Sequence, residues 1–255
     1  MTDTQQPGEP SGVAAAVYVY GVVRAGTTDA RGTVGVADRP AGTIESDGLA
    51  AVVSKLTEDR LRVRRRDLLG HLRVLERVFD ETTIVPCAFG MVLPSAEAVA
   101  SDFLATRRNE LLGLLERLEG RAQLNVSAAY DEEEILREIV ATDPRIARGR
   151  QQTRALGRAG HFASIQLGEL VAGVLAERRD ADGRRLLGRL AEAAEDAVME
   201  PTHDLTVLKG AFLVKGEDRF DAVLEELAKA EAPRISFEAI GPLPPTAFAE
   251  LGAGG

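Results

Sequence analysis

The chain reads as two α+β domains in succession. Each is an antiparallel sheet of the split βαβ, ferredoxin-like kind with helices on one face, and the C-terminal half carries extra helices. Three observations predict this. Apolar residues alternate between short β-branched runs and stripes of helical period, in the order β, β, α, β, α and then β, a multi-helix segment, β, α, β. Gly120 ends a helical stripe near mid-chain and divides 255 residues into two halves of ordinary domain size. The stretch Leu208 to Phe248 reads as strand, helix, strand and a proline-stiffened exit. One more strand between Met199 and Asp204 completes βαββαβ there. The expected layout is a disordered leader at 1–12, domains at 13–120 and 121–249, and a flexible tail at 250–255.

The elements follow in order. Val13 to Val23 is a strand in which Val17 and Val19 point one way and Tyr18 and Tyr20 the other, the mark of a central strand covered on both sides. Arg24 to Pro40 is an exposed connection with a short strand at Gly32 to Val36. Leu49 to Ser54 is a second buried strand. The segment Glu58 to Arg66 carries Arg60, Arg62, Arg64, Arg65 and Arg66. A helix from Asp67 to Asp80 offers Leu68, Leu72, Leu75 and Phe79 as one apolar face. Thr83 to Leu93 is a strand interrupted by Pro86 and Gly90, which suits an edge or a bulge. Ser95 then starts a long helix that runs to Leu118.

In the second half, Ala122 to Tyr130 is a strand. Asp131 caps a helix whose first turn holds Glu132, Glu133 and Glu134, where the helix dipole favours acids. Asp143-Pro144 breaks that helix, and Arg145 to Gly160 is weakly patterned. Helices are predicted at 162–178 and 184–199, parted by Asp180-Ala-Asp-Gly183, with Leu186, Leu190, Ala197 and Val198 on one face of the second. Asp204 to Lys215, Phe220 to Lys229 and Arg234 to Ile240 supply strand, helix and strand. Gly241-Pro242-Leu243-Pro244-Pro245 cannot continue a sheet interior, because proline lacks the amide hydrogen.

Composition narrows function by exclusion. The net charge of −9 argues against broad nucleic-acid or anionic-membrane binding, which needs a basic face. A single cysteine, Cys87, forms no internal disulfide, so a reducing cytoplasm suffices. No apolar run long enough to span a bilayer and no signal-peptide pattern is present. Cys87 in an apolar strand reads as a buried structural thiol. His71, His161 and His203 are far apart with no metal-ligand spacing. His71 and Asp67 form an i, i+4 pair, read as a surface pairing. The arginines at 60–66 read as a solvated loop, and no phosphate-binding glycine loop or nucleophile elbow occurs. No catalytic, cofactor-binding or metal-ligating residues are therefore assigned, and no cofactor is expected. Tyr18, Tyr20 and the Ala211–Leu213 strand make sheet faces too apolar to stay wet, so the other domain or a partner should cover them.

The C-terminal LKGAFLVKGEDRFDAVLEEL followed by FEAIGPLPPTAF resembles the signature of the gas vesicle protein F/L family: an AFLV strand, a short helix and a GPWPPYSF-like terminus. VYVYGVV near the start, and LLGHLRVLERVFDETTIVPCAFGMVL with its PxRFG-like strand, fit the same family across roughly residues 16–250. Leu243 replaces a frequent Trp, Thr246-Ala247 replaces Tyr-Ser, and Cys87-Ala88 replaces the residue and Arg that precede Phe89-Gly90. The resemblance implies a pair of ferredoxin-like domains and a non-enzymatic role. That role is a cytoplasmic, vesicle-associated accessory or minor structural protein, needed for assembly, that contacts the small hydrophobic shell protein and other accessory proteins. The alternative, on fold analogy alone, is a ligand-binding regulatory module.

Overall fold

A computed structural model describes residues 15–28, 30–56, 64–156, 161–249 and 251. The chain forms two compact units, one of residues 1–119 with 249–255 and one of residues 120–248.

In the N-terminal unit, β1 (Val17–Arg24) is the central strand. It pairs antiparallel with β3 (Leu49–Lys55) on one side and, on the other, with the short strands β4 (Val85–Pro86) and β5 (Val92–Leu93). The hairpin of β2 (Gly42–Ser46) with β3 sets the order β2-β3-β1-β4. The run at 83–93 is thus two strands separated by a turn, with Gly90 at φ +95°. Strand β2 lies between the connection that ends at Pro40 and the strand that starts at Leu49, where the sequence pattern assigns no element. The expected strand at Gly32 to Val36 reduces to one bridge, Val34 to Pro40.

Helix α1 (Arg65–Phe79) covers one sheet face, where Tyr18, Tyr20, Val52, Val74, Leu75 and Val78 form a single apolar cluster. Tyr18 and Tyr20 are therefore covered within their own unit. A bulge at Tyr20 shifts the alternation and brings Val23 to the same face. The other face carries α2 (Ala96–Ala98), a π-helical stretch (Val99–Ala105) and α3 (Arg108–Leu118) in place of one uninterrupted helix. Ser95 caps this segment by accepting the Ala98 amide at 3.1 Å. Leu104, Leu111, Leu115 and Leu118 are buried there. Helices on one face describe the C-terminal unit; in the N-terminal unit they flank both. Leu251, expected in a free tail, is buried and bridges Cys87 in parallel, its carbonyl accepting the Ala88 amide at 2.8 Å. The leader at 1–12 and Gly252 to Gly255 lie outside the described residues.

The buried face of α1 is not the expected Leu68, Leu72, Leu75, Phe79 stripe. It is Asp67, Gly70, His71, Val74, Leu75 and Val78. The reason is Gly70: a Cβ there would stand 2.8 Å from the carbonyl carbon and oxygen of Gly35. Helix and loop touch backbone to backbone, which rotates α1 so that two leucines turn outward. Gly70→Ala should destabilise the protein by about 1–3 kcal/mol, since neither backbone can yield freely. Urea unfolding measures the loss, and an unchanged midpoint would show that the contact is not tight.

The C-terminal unit holds β6 (Arg121–Tyr130), β7 (Asp196–Met199), β8 (Thr206–Lys215) and β9 (Ile235–Leu243), all antiparallel in the order β7-β8-β6-β9. That is the ferredoxin-like order. Its helices are α4 (Glu132–Thr142), α5 (Pro144–Leu156), α6 (His161–Ala191) and α7 (Asp218–Glu231). Ile135, Ile139, Val174, Leu186, Leu190, Phe220 and Leu227 from these helices pack on Leu124, Val126, Phe212 and Val214 of the sheet.

Four expectations change here. Asp143-Pro144 ends α4, yet Pro144 starts α5 at once, the position where a missing N–H is harmless. The 145–160 stretch is thus helical to residue 156. Helix α6 runs through Asp180–Gly183 without a break. A Cβ on Gly183 would meet the Val207 carbonyl at 2.7 Å, so this glycine lets the helix lie on β8. Asp182 accepts from Tyr130 at 2.7 Å, from Arg185 at 2.9 Å and from Arg234. Burial alone would raise its pKa; these donors outweigh burial and hold it below the usual carboxylate range. Finally, the completing strand is Asp196–Met199, inside the stretch assigned to a helix ending at Met199. Strand β9 continues through Gly241-Pro242 because it is an edge strand and bulges there, Gln123 facing Leu243 and Asn125 facing Ile240.

Candidate interaction site

The residues singled out from sequence fall into one interior cluster and several surfaces. His71 and Asp67 are both buried, so their surface pairing is replaced by separate roles. The Asp67 carboxylate accepts the Ala37 amide at 3.1 Å. Ala37 and Asp38 both sit at positive φ, +53° and +55°, a conformation that non-glycine residues need outside help to hold. Tyr20 Oη accepts the neighbouring Val36 amide at 2.8 Å and lies 2.9 Å from Ser54 Oγ, whose own proton goes to the Pro40 carbonyl. Tyr20 is therefore the donor to Ser54.

Tyr18 Oη accepts the Gly90 amide at 3.0 Å and lies 2.9 Å from His71 Nδ1. The Cys87 carbonyl takes the other ring nitrogen's proton, so Nδ1 is left as the acceptor for Tyr18. Burial lowers the His71 pKa to about 4 and raises those of Tyr18 and Tyr20. Cys87 is buried beside this cluster. The arrangement is a neutral polar network that ties helix, loop and sheet together. Its polar groups hydrogen-bond one another and the nearby backbone. Among the described residues, no cluster of three or more His, Cys, Asp or Glu is placed to hold a metal ion.

The surface offers more. Rotation of α1 exposes Leu68, Leu69 and Leu72 at 42%, 50% and 38%, beside Arg65, Arg66 and Arg73. Arg66 lies 3.7 Å from Asp38 and Arg73 reaches the Val34 carbonyl. Arg60 and Arg62 lie outside the described residues. Periodicity missed these exposed leucines because it counts apolar positions and cannot register a glycine contact; the signal that locates them is Gly70 between Asp67 and His71. The acids at 132–134 remain helix-terminal charge: Asp131 accepts the Glu134 amide at 3.0 Å, and Arg137 pairs with Glu133 and Glu134. In the C-terminal unit, edge strand β7 exposes Val198 and Met199, and β9 exposes Ile240. The other side of that sheet is closed near Leu213 by the exit segment, where the Ala247 amide donates to Gln123 Oε1 at 2.9 Å.

The family model for "Gas vesicle synthesis protein GvpL/GvpF" matches residues 16–250. The chain belongs to the GvpL/GvpF family. Gas vesicle protein F of Streptomyces sp. (strain CB03234) is 31% identical over 238 residues, spanning 91% of this chain and 99% of that protein. Gas vesicle protein F of Microcystis aeruginosa (strain PCC 7806) is 22% identical over 241 residues, or 92% and 98% of the two chains. The crystal structure of GvpF from Anabaena sp. PCC7120 superposes with a TM-score of 0.79 at 21% identity, covering 93% of this chain and 99% of that one. That of GvpF from Microcystis aeruginosa gives 0.70 at 22%, covering 93% and 100%. These structures share the fold, and membership of the family supports a role connected with gas vesicles.

In GvpL/GvpF terms, the C-terminal signature is β8, α7, β9 and the exit. Its Gly-Pro step has a packing reason. A Cβ on Gly241 would lie 2.4 Å from Leu124 Cδ2 and 2.8 Å from the Gln123 carbonyl, so only glycine lets the bulged edge close on β6. Among the described residues, no helix is long and apolar enough to cross a membrane.

Proposed function

We propose that the chain is a non-enzymatic accessory or minor structural protein of gas-vesicle assembly. In this reading it acts in the cytoplasm and at the vesicle by binding the small hydrophobic shell protein and other accessory proteins. The observation that carries the proposal is the family match over residues 16–250. The exposed leucines of α1 and the bare edge of β7 support it, because they offer apolar contact and strand pairing to a protein partner. A clean deletion in a vesicle-forming host should abolish buoyant vesicles, and the tagged protein should co-purify with the shell protein. Leu68→Asp with Leu72→Asp should weaken that capture. Normal vesicles in the deletion strain would overturn the proposal.

A further inference from the structure

We propose that the groove between α4, α5 and α6 of the C-terminal unit docks an acidic amphipathic helix from a protein partner. The groove measures about 450 Å³ and its floor is Leu136, Val140, Ile146, Leu167 and Val171. It opens beside a second recess of about 380 Å³ that shares Val140 and Arg150 and adds Arg154. Gly149 shapes the site: a Cβ there would meet Leu167 Cδ1 at 2.9 Å, so α5 lies close against α6 on one side and leaves the gap towards α4.

Charge decides the occupant. Helix α5 holds Arg145, Arg148, Arg150 and Arg154 and no acid, in a chain of net charge −9. Arg145 is bound to Asp143 and Glu177, and Arg148 to the Pro144 carbonyl. Arg137, on the opposite rim, pairs with Glu133 and Glu134. Arg150 and Arg154 have no ion-pair or hydrogen-bond partner among the described residues, and their i, i+4 spacing puts both guanidinium groups on one side of α5. Two uncompensated arginines beside an apolar floor, in a protein with carboxylates to spare, match a helix with leucine-type residues at i, i+3, i+4 and i+7 and carboxylates on its flank. A nucleic acid fits less well. Its phosphates gain nothing from the floor and are repelled by the rest of the chain.

The inference rests on the reading that this chain works through protein partners, and its test does without the shell protein so that the two can fail separately. Two fluorescein-labelled peptides of roughly 18 residues, about five helical turns, share one leucine pattern and carry glutamate or lysine at every other position. Fluorescence anisotropy with the full chain should show the glutamate peptide binding about tenfold more tightly than the lysine peptide. Bulk attraction to an acidic protein acts the other way, so that preference requires a local cationic site. Arg150→Glu with Arg154→Glu should invert the preference, and Val140→Asp should weaken both peptides, with circular dichroism confirming the fold. Equal binding of the two peptides, no response to the arginine reversal, or tighter binding of a labelled RNA hairpin than of the glutamate peptide would overturn the proposal.

Discussion

Phe212→Ala should cost the C-terminal unit about 3–5 kcal/mol, the largest loss expected from a single truncation in this protein. Phe212 is fully buried on β8, the strand between β7 and β6, with its ring centroid 5.2 Å from that of Phe220 on α7. Removing it leaves a cavity bordered by the sheet and by α7, and neither can collapse freely: β8 is held by ladders on both sides, and α7 by Phe220 and Leu227. Hydrogen exchange followed by mass spectrometry locates the loss. Amides of β6 and β8 should exchange faster in the variant while those of β1 and β3 keep their protection. An equal loss in both sheets would show that the two units unfold as one, and an unchanged pattern would show that the site repacks.

The second large effect is a dependence on pH. His71 has a folded pKa of about 4 against an ordinary value of 6.5. Between those values the unfolded chain binds a proton that the folded chain refuses, so stability falls as pH falls from 6.5 towards 4 and the loss saturates below that. The whole step is about 3 kcal/mol, and about 2.5 kcal/mol of it is lost by pH 4.5. The physical cause is burial: among the described residues no carboxylate pairs with the ring, and the Tyr18 hydroxyl already donates to Nδ1, so an added proton would displace a hydrogen bond as well as charge a dry site. His71→Phe should start less stable, because Tyr18 loses its acceptor, but should lose less stability than the wild type between pH 7 and pH 4.5. Urea midpoints at the two pH values give the comparison, and carboxylate titration is common to both proteins. Parallel slopes would show that His71 is hydrated or paired in a way that its hydrogen bonds do not indicate.

These two residues mark the division between what could be read and what could not. Phe212 lies in an alternating run with Leu208 and Val214, and alternation is itself the physical signal of a half-buried strand. From sequence His71 reads as a surface residue because an i, i+4 partner is visible, whereas the Tyr18 hydroxyl and the Cys87 carbonyl that hold it come from segments distant in the chain. The same limit explains α6 and β7. Asp180–Gly183 looks like a turn until Val207 and Arg234 are in place to use Asp182 and Gly183. Asp196–Met199 looks like the end of a helix until β8 pairs with it, where a Cβ on Gly210 would meet Met199 Sδ at 2.7 Å.

By itself, the sequence determined the α+β class, the buried strands β1, β3, β6 and β8, the start of a helix at Ser95, the left-handed stop at Gly120 and the C-terminal signature that carries the family resemblance. Each depends on the local period of apolar residues or on the backbone freedom of one residue, and both are properties of neighbours in the chain. Only the tertiary structure decided which face of α1 is buried, that α6 is unbroken, where β7 lies, that Leu251 returns to the first sheet, and that Arg150 and Arg154 stand beside an apolar groove without partners among the described residues. Those depend on close approach of segments far apart in sequence, where a missing Cβ or a single backbone hydrogen bond outweighs local preference.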